Sequence, residues 1–335
     1  MFLNILLTGG TGYIASHTSV VLVEAGHQVI LFDNLSNSEQ SVVSSIEKIT
    51  GQVIPFVRGD VRDTALLSSI LKSYEIETVI HFAGVKAVGE SAQNPILYYD
   101  NNVGGTLSLL KAMEASTINK LLFSSSATVY GNPQYLPYDE AHPTAPTNPY
   151  GQTKLQIEQF LLDVCRSDPD WGIICLRYFN PVGAHHSGLI GENPSGIPNN
   201  LMPYIAKVAR GQLPHLNIFG DDYDTRDGTG ERDYIHVMDL ARGHAAALEF
   251  LKDNSGWQAI NLGTGGSYSV LDMINAFEKV SKKLILTKYA ARRPGDLARC
   301  FANTSKAQAL LGWTATQSLD DICESTWTYQ QCIKP

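Results

Sequence analysis

Basic charge is the first thing this sequence is short of. Its 335 residues carry 25 Lys and Arg against 33 Asp and Glu, a net charge of -8. A nucleic-acid backbone needs a basic footprint, so nucleic acid is excluded as the main partner, whereas a local pocket for a small phosphate ligand is not. Cysteine is sparse as well. Cys165, Cys175, Cys300, Cys323 and Cys332 form an odd set without a CxxC pair. They read as reduced thiols of a cytoplasmic protein, not as a disulfide framework. No apolar run approaches the ~20 residues of a membrane span, so no membrane partner is expected. Residues 1–7 are apolar but have no basic lead-in and run straight into glycines, which suits a core strand better than a signal peptide. Internal repeats and low-complexity tails are missing too.

What is present is a hydrophobic fraction of 44%, ample for a globular core. Short apolar runs at 4–8, 28–32, 53–57, 78–82, 120–123 and 172–176 are rich in Val, Ile, Leu or Phe and bounded by Gly, Asp or Ser. Helical periodicity lies between them, as in Leu107, Leu110, Lys111 and Glu114 after Asn101. Strands buried on both faces and alternating with helices predict an α/β fold, a Rossmann-type doubly wound parallel sheet. Residues 131–149 contain Pro133, Pro137, Pro143, Pro146 and Pro149 and are expected to be a loop, of the long ordered kind that is usually functional. Beyond Phe179 the pattern loosens, and helical patterns resume at 201–210, 237–251, 270–281 and 319–331. We expect a dinucleotide-binding domain at 1–180 and a smaller mixed α/β substrate region at 181–335. The boundary is soft, with 236–262 free to fold back onto the first domain.

Gly9-Gly10-Thr11-Gly12-Tyr13-Ile14-Ala15 follows the first strand and opens a helix. Gly9 and Gly12 permit a tight turn in which backbone amides approach a pyrophosphate, and the helix N-terminus adds partial positive charge. Asp33 closes the second strand 24 residues after Gly9. A carboxylate there accepts ribose hydroxyls and repels a 2′-phosphate, which favours NAD over NADP. Gly59-Asp60-Val61 and Phe82-Ala83-Gly84 end strands on the same carboxyl edge. Asp60 could reach an adenine amino group or cap a helix.

Tyr150-Gly151-Gln152-Thr153-Lys154 places a phenol and an ammonium on one helical face. A phenol with a pKa near ~10 is a poor base at neutral pH, and a neighbouring cation favours its phenolate. Ile157, Phe160, Leu161 and Val164 continue the helix as a core stripe. Ser124-Ser125-Ser126 ends the fifth strand on the cofactor edge, where Ser126 could share a proton with Tyr150 while at least one of the three serves only turn chemistry.

Glycine turn, Asp33, serine strand end and Tyr150/Lys154 together resemble the extended short-chain dehydrogenase/reductase family. The segments HFAGVKAVGES (81–91), RYFNPVGAH (177–185), IPNNLMPY (197–204) and GTGERDYIHV (228–237) narrow the likeness to its UDP-glucose 4-epimerase branch, over nearly the whole chain. The resemblance implies tightly bound NAD that takes hydride from C4 of a UDP-hexose while Tyr150 removes the O4 proton. A 4-keto sugar then turns over and is reduced on its other face. Lys154 would hold the nicotinamide ribose and tune Tyr150, with Ser126 assisting. Tyr13, Ile14, Asn34, Val61 and Ser124 would line the cofactor, as would Lys86, Asn101 and Tyr178. Lys86 would also face the substrate. Asn180, Asn199, Asn200 and Leu201 would hold UDP together with Arg232, Arg293 and Asp296. Arginines fork onto diphosphate oxygens and the carboxylate accepts ribose hydroxyls. Phe219 would contact uracil or else be a core aromatic. A homodimer is implied, built on helices starting near Pro95 and Asn148.

One branch of the family carries a bulky tyrosine where this chain has Cys300, after Gly295-Asp296-Leu297. The smaller thiol should admit UDP-N-acetylhexosamines, unless it is only an apolar filler. A 4,6-dehydratase would need Asp-Glu after the serine, where Ala127-Thr128 stands, and a UDP-glucuronate epimerase or decarboxylase fits the substrate segments less well. A non-catalytic NAD-sensing regulator should have lost the Tyr/Lys pair. His185-His186 lacks further ligands at usable spacing, so no metal is expected.

Overall fold

Apolar runs bounded by turn residues belong in the middle of a sheet, and they are found there. The computed structural model describes residues 2–333 apart from 195, 197, 199 and 294. Strand β1 (Asn4–Thr8) leads into helix α1 (Tyr13–Glu24), followed by β2 (Gln28–Asp33), α2 (Ser41–Thr50), β3 (Phe56–Arg58), α3 (Thr64–Ser73) and β4 (Thr78–His81). Then come α4 (Val88–Gln93), α5 (Pro95–Tyr98), a π-helical turn at Tyr99–Gly104, and α6 (Gly105–Ala115). β5 (Lys120–Ser126), α7 (Pro149–Ser167) and β6 (Gly172–Tyr178) close the first half.

The second half begins with β7 (Asn180–Val182), α8 (Leu201–Ala209), β8 (Leu216–Phe219), β9 (Glu231–Arg232) and β10 (Tyr234–His236). α9 (Val237–Asp253) and β11 (Gly256–Leu262) follow. β12 (Tyr268–Ser269), α10 (Val270–Ser281), β13 (Thr287–Ala290), β14 (Arg299–Cys300), α11 (Ser305–Leu311) and α12 (Leu319–Cys332) complete the chain.

The main sheet has the order β3-β2-β1-β4-β5-β6-β11, and every pairing in it is parallel. The order reverses between β1 and β4, the switch point at whose carboxyl edge ligands of such sheets bind. Alternate strand residues face opposite layers. Leu7 and Leu31 join Val20 and Leu248 under α1 and α9, whereas Leu6 and Phe32 join Leu67, Met113 and Leu161 under α3, α6 and α7. A third core of Met202, Ile218, Phe277 and Cys323 gathers α8, α10 and α12 around the short strand pairs.

One detail differs from expectation. The third strand starts at Phe56, not at Val53, which is 86% exposed. Pro55 has no N–H to give a ladder and contributes only its carbonyl, to Leu31 N at 2.9 Å. The fifth strand ends on the three serines, at Ser126, as expected. The proline-rich stretch after Gly131 forms no helix or strand until Pro149, yet it is pinned. Tyr138 stacks on Tyr130 at 4.8 Å and its N–H reaches Phe301 O at 3.0 Å. All five cysteines are free thiols. Among the described residues no helix is long and apolar enough to cross a membrane.

Candidate active site

The turn between β1 and α1 fits a dinucleotide phosphate by shape. Gly9 has φ +67°, and a Cβ there would stand 2.7 Å from Ala83 N and 3.0 Å from the Phe82 carbonyl carbon. Contact with backbone at that range leaves room only for glycine. Gly12 needs no unusual dihedral; its Cβ would press on Gly9 O at 3.0 Å. α1 begins with no side-chain cap and no acidic residue in its first turn, so its amides and dipole remain for an anion. Ile14 is partly buried, and the Tyr13 phenol donates to Gly183 O at 2.6 Å.

Asp33 accepts from Thr11 N at 3.2 Å, Leu35 N at 2.8 Å and Ser38 Oγ at 3.2 Å. A carboxylate offers about four lone-pair sites, so it braces the glycine turn and keeps acceptor capacity for a ribose. Asp60 is not a helix cap. The residue that caps α3 is Asp63, which takes Leu66 N at 3.0 Å. Asp60 is gripped instead by Arg62 Nη2 at 2.7 Å, with Asn34 at 3.5 Å, and the Arg62 hydrogen bonds pull its carboxyl down to about 2. Val61 buries its side chain in the core below.

Gly84 faces the reacting end: a Cβ on it would lie 3.0 Å from Asn102 Oδ1 and 3.8 Å from Lys154 Nζ. Asn102, not Asn101, is the buried asparagine of the π-turn. Its amide accepts from Val85 N at 2.8 Å and donates to Val85 O at 3.0 Å and Thr153 Oγ1 at 3.1 Å. Asn101 stays half-buried. Two adjacent asparagines give no sequence cue to which turns inward; the π-turn decides it.

The serine triplet divides its work along α7. Ser124 O accepts from Lys154 Nζ at 2.6 Å, Ser125 Oγ donates to Glu158 at 2.5 Å, and the Ser126 hydroxyl acts on the Tyr150 phenol, favouring its charged form. Ser126 Oγ also accepts from Thr128 N at 3.2 Å and Thr128 Oγ1 at 2.9 Å, so its own proton is left for the phenol oxygen. Asn148 caps the helix on Gly151 N at 2.9 Å. A Cβ on Gly151 would meet Thr128 O at 2.9 Å, so only glycine lets the first turn close on the strand end. Burial raises the Tyr150 pKa while the Ser126 hydrogen bond opposes it. Burial lowers Lys154 to about 8, with Glu158 acting upward. Tyr178 lies inside the sheet with its phenol hydrogen bonded to His244, 4.9 Å from which lies the Phe82 ring.

At the other end Lys86 Nζ and Asn200 Nδ2 converge on Glu192 Oε1, at 3.3 and 2.9 Å. Glu192 belongs to none of the sequence motifs. Asn199 lies outside the described residues, and Leu201 opens α8 half-buried. Phe219 is not a core aromatic. It is half-buried, with the Arg293 guanidinium 4.8 Å over its ring and Arg293 Nε 2.8 Å from Asp296. A ring, a cation and a carboxylate so grouped can receive an aromatic base with its ribose. Arg232 and Cys300 are register partners in β9 and β14. Cys300 packs with Ala127 against Tyr130, Tyr138 and Phe179, beside the strand end bearing Ser126. Burial pushes its thiol up to about 11, so it is a neutral small group. Asn180 leads β7 with its side chain exposed.

Ser126, Tyr150 and Lys154 thus meet on the edge where the glycine turn opens. This is the organisation of the extended short-chain dehydrogenases/reductases, the class that fold and site define. Comparison narrows the class. A family profile described as GDP-mannose 4,6 dehydratase matches residues 6–326. The UDP-glucose 4-epimerase of Bacillus subtilis (strain 168) is 53% identical over 326 residues, covering 97% of this chain and 96% of that one. The Stenotrophomonas maltophila UDP-glucose-4-epimerase, solved with NAD and formylated UDP-arabinopyranose, superposes with a TM-score of 0.97 at 49% identity, over 98% of both chains. That of Bifidobacterium longum, in complex with NAD+ and UDP, gives 0.95 at 52% identity, also over 98% of each. The chain belongs to the UDP-glucose 4-epimerase family.

Proposed function

We propose that this protein is an NAD-dependent isomerase that interconverts UDP-glucose and UDP-galactose by inverting C4 through a 4-keto sugar. The observation that carries the reading is the alignment of Ser126, Tyr150 and Lys154 along one helix–strand seam beside the Gly9 turn. NAD, when bound, would supply the acceptor and donor for the C4 hydride. Gly9, Gly12 and the α1 N-terminus would hold its pyrophosphate, Asp33 its adenosine ribose, and Lys154 its nicotinamide ribose. Tyr150 removes the O4 proton and gives it back, with Ser126 bridging phenol and sugar oxygen. The Lys154 ammonium stabilises the phenolate and so opposes the upward push of burial. Arg293 and Asp296 fix the uridine over Phe219, Arg232 takes the diphosphate, and Asn180 and Asn200 hold the phosphate–sugar end. Residues 1–180 with 236–262 serve the cofactor, and the remainder serves the UDP-sugar.

The profile's dehydratase description prompts a second reading, in which water is eliminated across C5–C6. That chemistry needs an acid pair beside the catalytic hydroxyl, and Ala127-Thr128 supplies none. At Cys300 the space saved relative to a tyrosine ring leaves room for an N-acetyl group at C2. We therefore include UDP-N-acetylglucosamine and UDP-N-acetylgalactosamine among the substrates. Cys300→Tyr is expected to suppress the N-acetyl reaction while sparing UDP-galactose; equal loss of both would refute the assignment. Val88, Ile96, Leu97 and Leu107, all exposed on neighbouring helices, support a homodimer. The free thiols suit the cytoplasm.

The test is proton NMR of the purified protein with UDP-galactose and no added NAD. UDP-glucose anomeric signals establish epimerisation with retained cofactor. A spectrum silent even after NAD addition overturns the reading.

A further inference from the structure

The mechanism uses Tyr150 and Lys154 but leaves the next residue of that helical face unexplained. Glu158 lies at i+4 from Lys154, and its side chain is 3% exposed. Arg177 on β6 grips it bidentately, Nη2 to Oε2 at 2.6 Å and Nε to Oε1 at 3.0 Å. Ser125 Oγ closes on the same Oε1 at 2.5 Å. Arg177 Nη1 reaches Tyr130 Oη at 3.1 Å, and that hydroxyl donates to Asn261 Oδ1 at 2.6 Å. Asn261 in turn donates to Tyr138 O at 3.0 Å, on the proline-rich loop. Breaking a buried pair of this kind is costly, yet apolar residues in its place are often no less stable. Stability alone therefore does not explain a carboxylate at this point.

We propose that Glu158, clamped by Arg177 and Ser125, is a positioning residue for Lys154, holding the ammonium and the Tyr150/Lys154 face of α7 against the end of β5. The three consecutive serines make three grips on one helix face, at Lys154, Glu158 and Tyr150, so a shift of Glu158 moves the other two. The clamp also has an electrostatic side. Lys154 is buried beside Phe123, its Nζ 4.7 Å from the ring centre, and burial alone disfavours its charge. The titratable groups around it are Tyr150 and Glu158 on its own helix, His81 on β4 and Cys175 on β6. Burial drives His81 down to about 3 and raises the Cys175 thiol well above its usual range, so both are neutral near pH 7. Glu158 is left as the acidic neighbour that favours the ammonium, and Arg177 and Ser125 fix it in place.

This inference rests on the proposed use of Lys154, and its test separates the two. In the holoenzyme, the Lys154 ε-carbon is titrated by NMR, assigned with Lys154→Met, for the parent, Glu158→Gln and the charge-balanced Glu158→Gln/Arg177→Met. We expect the Lys154 titration to fall by about one pH unit or more in Glu158→Gln, the scale of losing one nearby opposite charge, and by a smaller amount in the double variant, where the Arg177 charge is lost as well. The alkaline limb of UDP-galactose turnover should move with it, while the unfolding midpoint drops in the single variant and recovers in the double. The recovered stability is what makes the double variant carry the test if Glu158→Gln does not fold. An unchanged Lys154 titration, or a parental pH profile in the double variant, overturns the proposal and leaves the pair as structural cement. A parent inactive on UDP-galactose overturns the functional reading alone, since the NMR titration still reports on the clamp.

Discussion

Replacing Gly9 by alanine separates two costs that the glycine turn avoids. One is backbone strain: alanine at φ +67° costs roughly 1–2 kcal/mol. The other is collision, because the new methyl would lie 2.7 and 2.9 Å from Ala83 N and Cα, atoms of the main chain that cannot rotate away. Forcing β4 and its following turn to yield adds about 1–3 kcal/mol on the scale of overpacking. Gly51 supplies the control, since it has φ +69° but no atom within 4 Å of its Cβ position, so Gly51→Ala carries strain without collision. Equilibrium urea unfolding should therefore show Gly9→Ala losing about 2–5 kcal/mol and Gly51→Ala only the first part, about 1–2. NAD content after gel filtration should fall in Gly9→Ala and stay at the parent level in Gly51→Ala. Equal destabilisation of the two variants, with NAD retained in both, would refute the claim that close approach at Ala83 makes position 9 a glycine.

Tyr150→Phe keeps the ring but loses the oxygen proposed to transfer the proton, and its kcat on UDP-galactose should drop by about 10²–10⁴, with UDP affinity by calorimetry unchanged; a kcat within tenfold of the parent excludes Tyr150 as the base. Lys154, lowered to about 8 by burial from an ordinary 10.5, binds fewer protons in the folded than in the unfolded chain between those values. The parent's stability should accordingly rise across that window as a buried charge is relieved. Lys154→Met should flatten this rise in denaturant midpoints taken from pH 7 to 10.5; a parallel pair of curves would count against a buried, charged lysine. Arg293→Ala removes the guanidinium above Phe219 and the partner of Asp296, and should raise KM for UDP-galactose with kcat little changed. A fall in kcat at constant KM would place Arg293 in the chemical step instead.

Much of the site was legible because it depends on short-range geometry. A glycine that alone can turn left, a carboxylate closing the next strand and a Tyr/Lys pair one helical turn apart are local facts, and the helix expected at 270–281 begins and ends there. Other assignments hinged on neighbours remote in sequence. Asp60 and Asp63 are equally good caps on paper, and only the course of the chain after β3 gives Asp63 to the helix and Asp60 to Arg62. Phe219 looks like core in its own strand until Arg293 folds across it.

The sequence by itself determined the alternation of strand and helix, the NAD-type turn and the pairing of Tyr150 with Lys154, since hydrophobic period and backbone sterics act over a few residues. Only the tertiary structure decided which serine serves which partner, that Asn102 rather than Asn101 locks the turn, and that Glu158 is buried under Arg177. The last of these comes from parallel pairing of β5 with β6, which brings residues 125 and 177 into register across dozens of intervening positions. No periodicity records that contact, because a buried carboxylate is tolerable only where a distant chain segment delivers its counter-charge.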